Sequence, residues 1–159
     1  IDHVIAEHGV DGDRLFVTGG SYGGYMTSWL VTQSQRFRAA ASLAPLTDMR
    51  SFFFTAHHPE FLALYAAGDP YEVGGMFDRR SPLRHADRVV TPTLLIAGGR
   101  DNTTPASQAG QFHRALVLRG VPTELAVYPE EGHAAARYEA QIDQGIRVLD
   151  WFRRWDGMA

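Results

Sequence analysis

Three side chains in this sequence have the types, the order and the local settings that acyl-transfer chemistry needs: Ser21, Asp101 and His133. Ser21 sits in Gly19-Gly20-Ser21-Tyr22-Gly23-Gly24-Tyr25, a Gly-x-Ser-x-Gly pattern. The apolar run Leu15-Phe16-Val17 precedes it and reads as a buried strand. Met26-Thr27-Ser28-Trp29-Leu30-Val31 follows and reads as a helix. Strand, tight turn and helix in that order form the setting of a nucleophile elbow, which lifts a serine hydroxyl above a strand end on a strained backbone. We expect Gly19 and Gly23 to be glycine because a side chain there would meet the neighbouring helix or strand. The following helix would aim its free amides and its positive dipole end at Ser21, where negative charge forms. The backbone amide of Tyr22 is the expected oxyanion donor.

Asp101 lies in Gly98-Gly99-Arg100-Asp101-Asn102-Thr103-Thr104-Pro105, just past a third apolar strand. There a carboxylate can orient an imidazole, or it can simply cap a turn or the next helix, and the residue alone leaves both open. His133 lies in Tyr128-Pro129-Glu130-Glu131-Gly132-His133, past a fourth strand. It competes with six other histidines. His3 and His8 precede the first strand, His57, His58 and His85 fall in a long middle segment, and His113 falls inside a helix. Asp48, past the second strand, is a second candidate for the acid. The combination is stronger than its parts. Serine, aspartate and histidine occur in the chain order of elbow hydrolases, each after a strand. His133 would take the Ser21 proton and later give it to the leaving group. Asp101 would set the imidazole tautomer and stabilise the imidazolium.

These loops share one edge only if the strands are parallel, and the rest of the chain supports that. Leu15–Thr18, Ala39–Leu43, Thr93–Ala97 and Glu124–Tyr128 are short continuous apolar runs. Helical patterns separate them, from about Tyr22 to Gln33 and from Ala106 to Arg119, with a last one from Ala136 or Tyr138 to Trp155. Ile142, Ile146, Leu149 and Phe152 recur in the last of these at helical spacing. Such alternation predicts an α/β fold, a mostly parallel sheet covered on both faces. Functional groups then gather at the carboxyl ends of the strands. The segment from Thr47 to Arg88 breaks the rhythm and predicts short helices over the sheet edge. Phe52, Phe53 and Phe54 lie there, either lining an apolar substrate pocket or packing as core.

Composition limits the other classes. The chain has 159 residues with 45% hydrophobic and 21% charged residues, as expected of one globular domain. A formal net charge of −3 predicts no nucleic-acid or anionic-membrane partner, and no apolar run is long enough to span a bilayer. With no cysteine, thiolate chemistry is excluded, and the histidines lack paired metal-ligand spacing. Ile1–Gly9 reads as the last turns of an amphipathic helix with Ile1, Val4 and Ile5 on one face. It begins in mid-pattern, so we expect further sequence upstream.

The run from Arg14 to Met26 closely resembles the catalytic domain of the prolyl oligopeptidase family of serine peptidases, nearest its acylaminoacyl-peptidase and dipeptidyl-aminopeptidase branch. Phe37-Arg38-Ala39-Ala40, Ser81-Pro82-Leu83, Thr91-Pro92-Thr93-Leu94-Leu95-Ile96, Gln108, Glu131-Gly132-His133 and Leu149-Asp150-Trp151-Phe152 extend the likeness over almost the whole chain. The resemblance implies an α/β-hydrolase fold, with about four strands forming the C-terminal half of its sheet. It also implies cofactor-free, metal-free cleavage of oligopeptides through an acyl-enzyme, with Ser21, Asp101 and His133 as the triad and Tyr22 as amide donor. It further implies a β-propeller and a His-Gly-Gly-Pro-like oxyanion segment that this sequence lacks. Residues 1–159 are therefore expected to be a partial catalytic domain, and the full-length parent to assemble as a homo-oligomer. A carboxylesterase, or a hydrolase-fold piece inactive on its own, is the alternative.

Overall fold

The structure is a computed structural model that describes residues 1–60, 62 and 68–157. Four parallel strands pair in simple sequence order, β1 (Leu15–Gly20), β2 (Phe37–Leu43), β3 (Thr93–Gly98) and β4 (Thr123–Tyr128). Helix α2 (Tyr22–Gln33) links β1 to β2, α5 (Ser107–Leu118) links β3 to β4, and α6 (Tyr138–Asp156) follows β4. A short N-terminal helix α1 (Asp2–His8) ends at Gly9, whose φ of 63° is the left-handed cap that glycine adopts without penalty. Between β2 and β3 lie α3 (Met49–Thr55), α4 (Met76–Arg79) and a 3₁₀ helix (Pro82–Arg88).

In β2 and β3 the continuous apolar runs follow from burial on both faces, whereas β1, read from the sequence as a buried strand, and β4 lie at the sheet's margins and contain no buried residue. Side chains alternate across a strand, so a sheet covered twice needs apolar residues at every position. Ala40, Leu95 and Ala97 point to one face, where Val31 of α2 and Phe112 and Leu116 of α5 cover them. Ala39, Ala41, Leu94 and Ile96 point to the other, against Trp151 of α6. All six residues of β3 are buried. The middle segment builds a satellite core of Met49, Phe52, Leu62 and Phe77 against Tyr25 of α2.

The Ile142, Ile146 and Leu149 face of α6 does not enter the core, since each is about half exposed. The helix packs on the sheet through Val148, Trp151, Phe152 and Trp155, so its apolar surface is wider than the face the strands cover. In α1, no residue is buried, and Ile1 and Val4 are exposed, so its apolar face stays open as well. Among the described residues, no helix is long and apolar enough to cross a membrane.

Helix α6 is fastened to β4 by Tyr128, whose hydroxyl donates to Asp143 Oδ2 at 2.5 Å, while Arg147 Nε donates to the same oxygen at 2.7 Å. Burial, then the Asp143 carboxylate, pushes the Tyr128 phenol from 10.0 up to about 12. The Tyr128 and Arg147 bonds hold Asp143 below the usual aspartate value. A raised phenol stabilises the fold below its unfolded value of 10.0 and loses that contribution as pH climbs through about 12. A lowered carboxylate stabilises above 3.8 and loses its share as pH falls through the folded value. The stability gap between wild type and Tyr128→Phe should therefore be flat near neutrality and narrow at both extremes. Denaturant unfolding of both proteins across pH checks this, and a gap that widens above pH ~10 would contradict it.

Candidate active site

Ser21 occupies the turn between β1 and α2 with φ 58° and ψ −118°, a left-handed backbone that a non-glycine residue holds only under constraint. Its amide donates to the Leu43 carbonyl at 3.0 Å, and its carbonyl accepts from Tyr25 at 2.9 Å, which fixes the turn from both sides. Tyr22 is the first residue of α2, so its N–H has no acceptor within the helix and points out of the helix start. Gly19 is required as expected, since a Cβ there would lie 2.7 Å from the Gly23 backbone. Gly23 is not, because a Cβ there would meet nothing. The tight residue is Gly24, whose Cβ would collide with the Leu43 carbonyl and approach Pro45 Cα to 3.1 Å. The elbow helix touches the neighbouring strand one residue later than the motif suggests. The buried Ser42 hydroxyl secures that contact by donating to the Gly24 carbonyl at 2.7 Å.

Asp101 makes contacts that fit both of the readings its position left open. Oδ1 accepts from the Thr103 and Thr104 amides, each at 2.8 Å, which caps the turn. Oδ2 accepts from the Thr104 hydroxyl at 2.8 Å and from His133 Nδ1 at 2.9 Å. The Asp101 side chain is fully buried, and that of His133 is a third exposed. His133 Nε2 lies 2.8 Å from Ser21 Oγ. A carboxylate partner favours the Nδ1–H tautomer, in which Nε2 carries the free lone pair facing the Ser21 hydroxyl. Ser21, His133 and Asp101 are thus in one hydrogen-bonded line although 112 residues separate the first two.

The acid and base loops interlock. The Arg100 amide donates to the Glu131 carbonyl at 2.9 Å, and Gly98 leaves just enough room for the Glu131 and Gly132 backbone. Glu131 is itself buried and accepts from the Ala136 amide at 2.6 Å, closing the loop that carries His133. Buried Gln108 ties the start of α5 to the segment after β2, accepting from the Thr47 and Asp48 amides at 3.0 and 2.9 Å. The sequence marked Gln108 and Glu131 as part of a resemblance, without roles, and it carried no signal for Thr104.

The remaining candidates fall elsewhere. Asp48 caps α3 by accepting from the Ser51 amide at 2.7 Å and lies near Arg84, so it does not serve His133. His113 meets Thr123, His85 meets the Arg79 carbonyl and His58 pairs with Glu60. Beside Ser21 and His133 opens a cavity of about 710 Å³, walled by Leu43, Ala44, Ile96, Ala135, Val148 and Leu149 among others. None of Phe52, Phe53 and Phe54 lines it. Phe52 is buried in the satellite core, Phe53 packs against that core, and Phe54 is 53% exposed beside Tyr71.

The pattern describing the prolyl oligopeptidase family matches residues 1–159. The acylamino-acid-releasing enzyme of Arabidopsis thaliana is 31% identical over 98% of this chain and 22% of its own length. An uncharacterized peptidase of Bacillus subtilis, YuxL, is 36% identical over 92% of this chain and 22% of its own. The solved acylaminoacyl peptidase of Pyrococcus horikoshii superposes with a TM-score of 0.89 at 26% identity, over 96% of this chain and 26% of that one. The sheet and its flanking helices are those of an α/β-hydrolase. The chain spans about a fifth of the length of these curated relatives.

Proposed function

The chain belongs to the prolyl oligopeptidase family, and from that membership we propose that it carries the nucleophile, base and acid of a serine peptidase acting on oligopeptides. The observation that carries this reading is the line Ser21 Oγ to His133 Nε2 at 2.8 Å and His133 Nδ1 to Asp101 Oδ2 at 2.9 Å. Residues 1–159 are read as part of an α/β-hydrolase catalytic domain, which the short span against relatives supports.

Ser21 Oγ attacks the scissile carbonyl carbon as His133 Nε2 removes its proton. The carbonyl oxygen takes the electron pair and points at the Tyr22 amide at the start of α2, where the dipole also favours negative charge. Collapse expels the amine, which takes the proton from His133, and leaves an acyl ester on Ser21. Water, deprotonated by His133, then releases the acid and restores the serine. Asp101 keeps the imidazole in the productive tautomer and stays ionised throughout. The same steps hydrolyse esters, and family membership is what favours peptides.

A fluorophosphonate probe tests the reading with this chain. We expect an adduct on Ser21, located by mass spectrometry and absent from Ser21→Ala. A folded wild-type chain that takes no label would mean that these 159 residues do not build a competent site by themselves.

A further inference from the structure

We propose that Thr104 is a positioning residue that tunes the His133 base by sharing the charge of Asp101, an inference that rests on the triad reading above. Three observations carry it. First, the Thr104 hydroxyl donates to Asp101 Oδ2 at 2.8 Å, the oxygen that also receives His133 Nδ1–H at 2.9 Å. Second, the hydroxyl lies only 3.2 Å from Nδ1 itself, so it sits in the angle between acid and base. Third, Thr104 is 5% exposed and the Asp101 side chain is fully buried, so water does not substitute for this donor.

A carboxylate in this position receives four donors. Two are the Thr103 and Thr104 amides on Oδ1, and these belong to the backbone. Of the two on Oδ2, one is the imidazole and the other is a hydroxyl that the turn does not need. Charge-assisted hydrogen bonds are strong and compete for the same electron density. Each donor added to Oδ2 weakens the pull of that oxygen on the imidazolium. The Thr104 hydroxyl therefore shares the Asp101 charge with the imidazole while leaving the ring in place. Capping needs only the backbone amide, so a turn built for structure alone would serve as well with valine.

The hydroxyl also constrains the tautomer. It has one proton, which it donates in the hydrogen bond to Asp101 Oδ2. Only the Nδ1–H form of His133 then finds a partner for every polar atom around Oδ2, which keeps Nε2 open toward Ser21.

Histidine ring NMR as a function of pH reads this directly, with the six other histidines as internal references. Three variants separate the causes. Thr104→Val and Thr104→Ala both remove the hydroxyl while keeping the backbone amide, and Thr104→Ser restores it. We expect the His133 titration midpoint to rise by roughly half to one pH unit in Val and Ala. It should return to the wild-type value in Ser. The acid limb of Ser21 phosphonylation should move by the same amount. A His133 midpoint within 0.2 unit of wild type in both hydroxyl-free variants, with folding confirmed by circular dichroism, would overturn the proposal (~0.3 kcal/mol, too little for a buried charge-assisted bond). Asp101→Asn guards the premise. If it leaves the His133 midpoint unmoved, the Asp101–His133 contact itself is wrong, and the triad reading fails together with the role of Thr104.

Discussion

Replacing Asp101 with asparagine is expected to slow phosphonylation of Ser21 by about 10⁴-fold, close to 5.5 kcal/mol of barrier. The direction follows from the donors around the carboxylate. Oδ1 faces two backbone amides, so the asparagine oxygen must take that place. Its NH₂ group then points at Thr104 and His133 Nδ1. A donor facing Nδ1 makes that nitrogen an acceptor and moves the proton to Nε2, which can no longer accept from Ser21. The turn keeps its cap, so stability should change far less than rate. Stopped-flow or timed labelling with a fluorophosphonate measures the effect. A variant that reacts within tenfold of wild type would show that Asp101 does not set the His133 tautomer.

The second large effect is on stability. Gly98→Ala should destabilise the protein by about 3 kcal/mol or more and abolish labelling of Ser21. A Cβ at position 98 would overlap the Gly132 carbonyl and lie 2.6 Å from the Glu131 carbonyl, both rigid backbone. No side-chain rotamer relieves that, so the strand end or the base loop must move. Either shift pulls His133 away from Ser21. Urea unfolding of wild type and variant provides the number. A loss below 1 kcal/mol with normal labelling would mean that the two loops are not locked together at Gly98. Gly110→Ala is the control, because a Cβ there meets nothing and alanine favours a helix.

The meeting of Ser21, Asp101 and His133 at one edge of the sheet is more legible in the sequence than the packing around them. Ser21, Asp101 and His133 could be chosen because apolar periodicity locates strand ends, and parallel strands bring successive ends to one edge. The chosen strand limits were each extended by one or two residues, as at β1, which runs to Gly20, and β2, which starts at Phe37. Glycine and arginine at those ends carry no apolar signal, although the backbone still pairs. The expectation of a tight contact at Gly23 does not hold, and Gly24 is the close one, because close approach depends on how α2 leans on β2, a tertiary quantity with no local sign. Phe52, Phe53 and Phe54 are alike in sequence and separate only when α3 turns one inward and another outward. The exposed Ile142, Ile146 and Leu149 face shows the same limit, since periodicity identifies an apolar stripe but not what lies against it.

The sequential strand order has a consequence for how the site comes into being. Among the described residues, in a sheet arranged β1-β2-β3-β4, no strand is inserted between earlier ones. Ser21 hangs from β1 and His133 from the loop after β4, so on the triad reading the proton acceptor would arrive only when β4 docks. On a ribosome, a nascent chain would present the serine long before it could be deprotonated. On the triad reading proposed above, nucleophilicity would be withheld during synthesis by connectivity alone. The cost is kinetic, because a contact spanning 112 residues must form across a large loop closure and forms slowly.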